Sequence, residues 1–289
     1  MEIQSKDIVF IVNPNSGVKD HRVLVDELKK VDPEIRVFKS LNLEVFHQFF
    51  QEEVNQYKVV IIGGGDGSVN TTIPYLLQKD LILAVMPNGS GNGFAREMGF
   101  GTDFKQTINW IKKGKVKEVD VMKFGSHYST NVAGIGFDAY VAHVFDQLKV
   151  RGLMSYVKTG LKSYHQFKPV EVKVEHDQGI SEGEYLLVDI ANIRQYGNNA
   201  LISPQSNPQD GRFELVFVKK MPWIRLPFFL WRLMNGKLKS SQYIHYVQTK
   251  QAVIHSNASH LHVDGEAFES KASIDVSLAG KMKVIATNL

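Results

Sequence analysis

The feature that most constrains the fold is an apolar run that stops at three consecutive glycines. Residues 59–62 (VVII) are all β-branched, and residues 63–68 (GGGDGS) follow directly. This pattern predicts a buried strand that ends in a turn. Without Cβ atoms, the glycines let backbone N–H groups approach a ligand closely and point at one spot. Apolar spacing after the turn predicts a helix over Ser68–Gln78, and a helix N-terminus behind a glycine turn is typical of a phosphate site.

Asp66 lies in the middle of this turn. Its carboxylate would repel a bare anion, so the sequence favours a cation as its partner, most simply the Mg²⁺ that accompanies a nucleoside triphosphate. Many strand-to-helix turns also carry two glycines for steric reasons alone. A single Gly-Gly-Asp-Gly segment is therefore weak support for a nucleotide site.

Two further apolar runs end in loops of the same kind. Residues 8–12 (IVFIV) run into residues 13–17 (NPNSG), and residues 81–86 (LILAVM) run into residues 87–96 (PNGSGNGFAR). Asn, Pro, Ser and Gly are the common residues of any turn, so the first loop by itself indicates no ligand. Three apolar strands that end in three polar glycine loops are, however, typical of an α/β sheet that binds its ligand at the carboxyl edge.

In order and separation, the three loops resemble those of the diacylglycerol kinase and sphingosine kinase superfamily of lipid kinases. Residues 131–139 (NVAGIGFDA), 210–213 (DGRF) and 264–266 (DGE) resemble later motifs of the same superfamily. The resemblance implies an α/β fold with an N-terminal parallel-sheet nucleotide-binding domain, Rossmann-like and phosphofructokinase-like. An antiparallel β-sandwich-type domain follows it, and the active cleft is expected between the two.

The pattern of predicted strands and helices along the chain indicates the same division into two domains. Strands and helices alternate over residues 1–122, which predicts a parallel sheet with helices on both faces. Strand-like alternation dominates residues 123–280, which predicts a β-rich domain for the lipid substrate. The resemblance allows the last strand, within residues 281–289, to return to the first domain. Helical interruptions of the strand-rich part are predicted at Asp138–Lys149, Met154–His165 and Leu226–Asn235.

Phosphoryl transfer needs positioning and charge neutralisation, which the glycine loops and Arg96 would supply. By resemblance, Ser90 faces the nucleotide phosphates and Ser40 matches a hydroxyl position near the nucleotide, where a turn role is equally open. Arg96 has ion pairing on its own helix as an alternative. The residues assigned to ATP are small and polar apart from Asp66 and Arg96: Asn13, Pro14, Asn15, Ser16, Gly17, Ser40, Gly64, Gly65, Asp66, Gly67, Ser68, Asn70, Asn88, Gly89, Ser90, Asn92 and Arg96.

Three carboxylates are candidates for the catalytic base. Asp264 and Glu266 follow an apolar strand, and residues two apart in an extended chain face the same side, so the pair could converge. The resemblance implies that Glu266 or Asp264 accepts the proton of the lipid hydroxyl, whereas the sphingosine kinase branch places this role on the residue that matches Asp66. We favour Glu266. An ordinary Asp-Gly turn before Glu266 is the alternative.

Two further sites follow from the resemblance alone. Asp138 matches a position near the lipid head group, and Asp210 matches an aspartate that holds a structural Mg²⁺. Asn207 and the carbonyl oxygen of Arg212 would complete that metal site, and an aspartate with carbonyls is a sensible ligand set for a hard cation. A helix N-cap at Asp138 and a turn at Asp210 explain the same residues equally well.

Two departures from the superfamily pattern concern the substrate. Thr71 stands where a glutamate is usual, and Gly93 stands where many bacterial diacylglycerol kinases have aspartate. The missing carboxylates leave the acceptor lipid and the Mg²⁺ network open.

Composition bounds the remaining possibilities. The 289 residues are 43% apolar and 22% charged, as in an ordinary globular protein, and they include no cysteine, which excludes disulfides and thiol chemistry. The N-terminus lacks an apolar signal core, and no run reaches the ~20 apolar residues that span a bilayer. We therefore expect a cytoplasmic protein. The net charge of +4 and the absence of basic runs with interleaved aromatics indicate no nucleic acid partner.

Residues 219–239 combine bulky apolar side chains with cations, as an interfacial helix on anionic lipid does. The alternative, which we favour, is a helix that packs its apolar face on the second domain while its cations reach the solvent. The two can hold together if one face stays exposed. Peripheral contact with a membrane and a homodimer are both left open.

The sequence thus predicts an ATP- and Mg²⁺-dependent lipid kinase that acts at a membrane surface, and three alternatives remain. Nicotinamide dinucleotide kinases and phosphofructokinases share Gly-Gly-Asp-Gly but phosphorylate soluble metabolites. His260, His262 and Asp264 superficially match a di-metal hydrolase signature. A non-catalytic nucleotide or lipid sensor could keep the same fold.

Overall fold

The computed structural model describes residues 3–15, 17–147 and 153–287. It divides into two compact units, Met1–Val119 with Lys281–Leu289 and Asp120–Gly280. The predicted fold class, a parallel α/β part followed by an antiparallel β part, is confirmed. No helix in the described ranges is long and apolar enough to cross a membrane.

The first unit alternates strands and helices. Its strands are β1 (Ile8–Val12), β2 (Arg36–Lys39), β3 (Val59–Gly64) and β4 (Ile82–Pro87). Its helices are α1 (His21–Val31), α2 (Leu43–Glu52), α3 (Asp66–Gln78), α4 (Gly93–Met98) and α5 (Phe104–Lys113). Strand β5 (Val116–Phe124) then leads into the second unit.

The four strands of the first unit are parallel and ordered β2-β1-β3-β4. Every residue of β1 and β3 is buried, because continuous apolar runs lie in a sheet that is covered on both faces. Neighbouring parallel strands end at the same edge. The loops after β1, β3 and β4 therefore meet at the carboxyl edge of this sheet.

The last strand, β16 (Ser273–Ile285), contributes residues to both units. Its end joins the first unit, where Lys283 and Val284 pair in parallel with Ile82 and Leu83. The expected last strand, within residues 281–289, is the end of a longer strand that begins at Ser273. Ala279 and Gly280, with φ +145° at the glycine, lie inside this continuous strand.

The second unit is mostly antiparallel. Its strands are β6 (His127–Ser129), β7 (Val132–Gly136), β8 (Val170–His176), β9 (Gly179–Tyr185), β10 (Leu187–Ala191), β11 (Phe213–Val218), β12 (Ile244–Thr249), β13 (Gln251–Ser256), β14 (His260–Val263), β15 (Glu266–Glu269) and β16. Its helices are α6 (Phe137–Gln147), α7 (Leu153–Tyr164) and α8 (Leu226–Met234). The part of the first predicted helix beyond Gln147 lies outside the described residues.

Two sheets share the core of this unit. One has the order β12-β11-β10-β7-β14-β15, and the other pairs β9, β8, β13 and β16 in that order. Alternate residues such as Ile135, Val174, Ile254 and Val276 meet in one buried apolar cluster, as expected for strands with one face toward a common core. On its other face, the first sheet packs against α7 and α8 through a second apolar cluster.

Candidate functional site

The loops after β1, β3 and β4 form a connected rim, which we call the rim loops (residues 13–15, 17–20, 64–68 and 87–92). Asn88 connects them. Its backbone N–H donates to Gly64 O at 2.9 Å, and its carbonyl accepts from Val18 N at 2.8 Å. Its side-chain amide exchanges two hydrogen bonds with the backbone of Lys19, at 2.8 and 3.0 Å. Asn88 is only 4% exposed, so this predicted nucleotide ligand also fixes the rim.

The glycines of the rim loops make room for the protein's own atoms. A Cβ on Gly17, whose φ is +104°, would lie 2.1 Å from Asn88 Nδ2. A Cβ on Gly89 would lie 2.6 Å from the Cα of Gly65, and one on Gly65 would lie 3.0 Å from the Cα of Gly89. Two loops therefore pass backbone against backbone. This close packing agrees with the steric alternative that the sequence left open for these glycines.

Asp66 begins α3, but its side chain serves α4. Its carboxylate accepts from Gly93 N at 3.0 Å and from Phe94 N at 2.9 Å. Asp66 caps the N-terminus of α4 in place of Asn92, the residue at the N-cap position, which has a left-handed φ of 51°. The side chain of Asn92 instead bonds to Gly89: its Oδ1 accepts from Gly89 N at 2.8 Å, and its Nδ2 donates to Gly89 O at 2.7 Å. A carboxylate at a helix N-terminus also gains from the helix dipole.

The first rim loop is joined to the loop after β2. Asn13 Oδ1 accepts from Asn15 N at 2.8 Å, and Asn15 Nδ2 donates to the carbonyl of Leu41 at 3.0 Å. Ser40 is buried and donates through its hydroxyl to Asn42 O at 3.2 Å. Ser16 lies outside the described residues.

The remaining predicted nucleotide residues lie at or near the rim. Ser90 and Arg96 are exposed, and Arg96 Nε donates to Gly91 O at 3.2 Å. The hydroxyl of Thr71, one of the departures from the superfamily pattern, donates to the helix carbonyl of Gly67 at 2.9 Å. Pro14 lies in the turn after β1, and Gly67, Ser68 and Asn70 lie in the first turns of α3.

In the second unit, Asp264 and Gly265 form the two-residue turn between β14 and β15. Their φ values are 51° and 91°, and Val263 pairs with Glu266 across the hairpin. Positive φ at both positions is the geometry of the tight hairpin turn that Asp-Gly favours. The prediction that Asp264 and Glu266 face the same side of an extended chain is therefore wrong, because the backbone reverses between them.

Asp264 and Glu266 have different environments. The carboxylate of Asp264 accepts from Ser129 Oγ at 2.6 Å, from Asn131 N at 3.1 Å and from Thr130 N at 3.2 Å. These bonds hold the chain just before β7. Glu266, at the start of β15, is exposed. Asp264 is thus held in place within the unit, and Glu266 is an exposed residue at the start of the next strand.

Next to this hairpin lies a buried group that the sequence argument did not assemble. Asp189 on β10 and His262 on β14 both stand opposite Gly134 of the intervening strand β7. A Cβ on Gly134 would lie 2.1 Å from Asp189 Oδ1. The glycine therefore leaves the space in which the two side chains approach each other, with His262 Nε2 3.5 Å from Asp189 Oδ1.

Asp138 and Tyr196 complete this group, and we call the four residues Asp138, Asp189, Tyr196 and His262 the buried cluster. His262 Nε2 lies 2.7 Å from Asp138 Oδ2, and Asp138 Oδ1 accepts from Ala139 N at 2.8 Å at the start of α6. The hydroxyl of Tyr196 donates to Asp189 and lies 3.5 Å from Asp138 Oδ2.

The electrostatics of the buried cluster are balanced internally. Burial alone would lower the pKa of His262, but the adjacent carboxylates of Asp138 and Asp189 outweigh it and raise the pKa to about 10. Burial would raise the pKa of Asp138, yet the His262 cation keeps it below its ordinary value. Burial, reinforced by the charge of Asp138, raises the pKa of Asp189 well above its ordinary value. His262 and Asp138 thus form an ion pair beside Asp189, whose carboxyl holds its proton more tightly than an ordinary aspartate does.

A signal for Asp189 existed in the sequence. It is the one charged residue in the apolar run Leu186–Ile193, and a charge inside a buried strand requires a partner. Within the described part of the chain, Asp138, Asp189 and His262 also form the one group of three acidic or histidine side chains close enough to share a metal ion, with ligand atoms within 4.8 Å. Tyr196, from the loop after β10, had no sequence signal.

The predicted magnesium residues share one exposed turn. Asp210 Oδ1 accepts from Arg212 N at 3.0 Å, Asp210 Oδ2 accepts from Gln248 Nε2 at 3.0 Å, and Asp210 N donates to Asn207 O at 3.4 Å. The protein's own donors thus engage the carboxylate. The magnesium site stays a prediction.

The di-metal hydrolase alternative requires His260, His262 and Asp264 to converge. Instead, His260 stacks on His143 with ring centroids 4.0 Å apart, His262 belongs to the buried cluster, and Asp264 bonds to the chain before β7. The described residues therefore hold no such metal group.

Two family models match the chain. The diacylglycerol kinase catalytic domain matches residues 7–124, and the YegS C-terminal NAD kinase beta sandwich-like domain matches residues 131–286, more than half of the chain. The chain therefore belongs to the diacylglycerol kinase superfamily. Membership of this kinase family makes it a phosphotransferase and implies the use of ATP.

Individual proteins agree with this assignment. A diacylglycerol kinase from Staphylococcus saprophyticus is 29% identical over 215 residues, which cover 73% of this chain and 70% of the relative. A solved structure of a diacylglycerol kinase from Bacillus anthracis superposes with a TM-score of 0.73 at 20% identity and covers 97% of both chains. An NAD kinase from Archaeoglobus fulgidus, solved with ATP, gives a TM-score of 0.54 at 11% identity and covers 97% of this chain and 94% of that one. The two structures establish likeness of fold.

Proposed function

We propose that this chain is an ATP-dependent lipid kinase that transfers the γ-phosphoryl group of ATP to the hydroxyl of a lipid such as diacylglycerol or sphingosine. The observation that carries the proposal is the set of rim loops, joined through Asn88 at the carboxyl edge of a parallel sheet, in a member of the diacylglycerol kinase superfamily. Two relatives, from Staphylococcus saprophyticus and Bacillus subtilis, are named diacylglycerol kinases, and this supports a lipid as the acceptor.

In this proposal ATP binds at the rim loops. Backbone N–H groups there would bind the phosphates, and the exposed guanidinium of Arg96 would neutralise part of their charge. A Mg²⁺ ion bound to the triphosphate would supply further charge neutralisation when present, and Asp66 is the rim-loop carboxylate that we propose would help to hold it. Because Asp66 already accepts from two backbone N–H groups, its first task is to hold α4 in place.

Glu266 is the base that we propose. Its exposed position makes its carboxylate accessible to an acceptor hydroxyl, while Asp264 is bonded within its own unit and positions the hairpin that carries Glu266. In the reaction the lipid oxygen forms a bond to the γ-phosphorus, the bond from that phosphorus to the β–γ bridging oxygen breaks, and ADP leaves. The hydroxyl proton passes to Glu266.

Radiolabelled ATP with mixed micelles of diacylglycerol, sphingosine, ceramide or undecaprenol tests the proposal. We expect one lipid to be labelled, and Glu266→Gln to reduce the rate by about 10²-fold or more. Glu269→Gln, an exposed acid on the same strand, is the matched control and should keep the wild-type rate. Asp66→Ala is compared with Asp103→Ala, which removes the cap of another helix in the same unit.

Labelling of none of these lipids would contradict the lipid kinase assignment, and labelling of a soluble dinucleotide instead would favour the metabolite kinase alternative. Full activity in Glu266→Gln would overturn the role of Glu266. If Asp66→Ala and Asp103→Ala lose the same small fraction of activity, Asp66 acts through helix capping alone.

A further inference from the structure

The outer side of α8 and of the turn before it is an exposed apolar surface in the second unit. Trp223, Ile224, Phe228 and Trp231 are 65%, 72%, 54% and 49% exposed, respectively. We call these four residues the aromatic face. Large apolar side chains grouped in this way on the surface of a globular protein mark an interaction site for another protein or for a membrane.

Folding of the unit does not need the aromatic face. The opposite side of α8 carries Leu226, Phe229 and Leu233, which pack against the apolar cluster beside the first sheet. An amphipathic helix that is anchored in this way would have a polar outer side. Here the outer side also carries apolar residues at helical spacing, at positions 224, 228 and 231. Helix α8 and the turn before it are therefore apolar on two sides, and only one side packs against the rest of the unit.

The segment that carries the aromatic face has charges of one sign. No Asp or Glu occurs in the sequence between Glu214 and Asp264. Residues 219–239 carry six positive charges, which exceeds the net charge of +4 of the whole chain. The six are Lys219, Lys220, Arg225, Arg232, Lys237 and Lys239. A protein partner with this footprint would have to be acidic and apolar at once, a combination that an anionic membrane surface provides.

Two of the cations lie directly over the rings. Arg232 Cζ is 4.2 Å from the ring centroid of Phe228, and Lys237 Nζ is 5.0 Å from that of Trp231. The two rings are parallel within 8°, with centroids 6.0 Å apart. Cations at the border of an aromatic surface match the boundary between acyl chains and phosphates, where tryptophan also prefers to lie.

We propose that the aromatic face inserts into the surface of an anionic bilayer while the surrounding cations bind lipid phosphates. The inference extends the proposed lipid kinase function, because it names the surface that presents the acceptor. Apolar burial and charge attraction act together in such binding, since either contribution alone gives weak attachment.

Co-sedimentation of the full chain with vesicles, without ATP, tests this inference. Vesicles of equimolar phosphatidylcholine and phosphatidylglycerol are compared with vesicles of phosphatidylcholine alone. We expect binding to the anionic vesicles to be at least about tenfold tighter and to weaken with salt. Two of the three tryptophans lie on the aromatic face, so their emission should also shift to the blue on binding.

Variants locate the contact. Phe228→Gln with Trp231→Gln should weaken binding about tenfold or more, and Lys237→Gln should weaken it about fivefold. Ile180→Gln, which changes an apolar residue that is 61% exposed elsewhere in the same unit, is the control for apolar exposure. Lys30→Gln, an exposed lysine on α1, is the control for charge. Both controls should bind as the wild type does.

Equal binding to neutral and anionic vesicles, or unchanged binding in the Phe228→Gln, Trp231→Gln variant, would overturn the inference. So would a dimer in solution that this double variant abolishes, because the face would then contact a second copy. The two proposals fail separately. Phosphorylation of diacylglycerol in neutral detergent micelles without vesicle binding would refute the membrane contact alone, and vesicle binding without phosphorylation of any lipid would refute the kinase function alone.

Discussion

The rim loops of the first unit and the buried cluster of the second both gather polar atoms, but they do so by opposite means. The rim loops rely on small residues and backbone groups, with Asn88 as an uncharged connector. The buried cluster relies on charged side chains that neutralise one another away from water. A region of the first kind is sensitive to added volume, and a region of the second kind is sensitive to charge and pH.

The contrast fits the tasks proposed for the two units. Backbone N–H groups can approach a phosphate closely where small residues line a loop, which explains the many glycine, asparagine and serine residues of the rim. The buried cluster lies close to the Asp264 hairpin in sequence, because only Val263, the last residue of β14, separates His262 from Asp264 in the turn. The hydrogen bonds of the buried cluster can help to fix the strand that leads into the hairpin.

The largest effect is expected from breaking the charge balance of the buried cluster. His262→Leu leaves the carboxylate of Asp138 buried without its cation, which should lower the free energy of unfolding by about 3–5 kcal/mol. Urea unfolding of the full chain measures this. The double variant His262→Leu, Asp138→Leu removes both charges and should recover much of the loss. A double variant that is no more stable than His262→Leu would contradict the charge argument.

The same cluster predicts a dependence of stability on pH. The pKa of His262 is raised from 6.5 to about 10, so the folded state binds its proton more tightly than the unfolded state does. The stabilisation is complete below pH 6.5 and is lost as the pH rises toward 10. The raised pKa of Asp189 acts in the same direction. Urea unfolding from pH 6 to pH 10 should show a loss on the order of a few kcal/mol, which must shrink in His262→Leu but not in His255→Gln, an exposed control.

A smaller effect is expected from added volume in the rim loops. Gly89→Ala places a Cβ 2.6 Å from the backbone of Gly65, which cannot move aside as a flexible side chain would. We expect a loss of about 1–3 kcal/mol in stability and at least about tenfold weaker ATP binding by calorimetry. Gly101→Ala is the matched control, since nothing lies within 4 Å of its added Cβ. Normal ATP affinity in Gly89→Ala would mean that the loops are not the nucleotide site.

The smallest effect separates the two acids of the hairpin. Asp264→Asn weakens three hydrogen bonds to a charged acceptor and should cost about 1–3 kcal/mol of stability. Glu266→Gln changes an exposed residue and should leave the unfolding free energy within about 0.5 kcal/mol while it lowers kinase activity. Equal losses of stability in both variants would show that Glu266 also has a structural role.

Much of the fold could be predicted from the sequence. Continuous apolar runs such as residues 8–12 and 59–62 encode burial on both faces, and the glycine turns that follow them encode where the strands end. Apolar runs and glycine turns are local properties of the chain, so they can be identified without knowing which strands pair in the sheet. The Asp-Gly turn at 264–265 is an equally local signal. The prediction that Asp264 and Glu266 face the same side assumed an extended chain, but the backbone reverses at Asp264 and Gly265.

The sequence by itself determined the order of strands and turns along the chain, the small-residue character of the rim loops and the membership that six motif segments imply. Only the tertiary structure brought together Asp138, Asp189, Tyr196 and His262, and joined Asn88 to Lys19. The physical reason is that local patterns encode burial and turns, whereas side chains meet across a sheet through strand pairing and register. The alignment of Asp189, Gly134 and His262 on three adjacent strands depends on that long-range register, which no local window of the sequence contains.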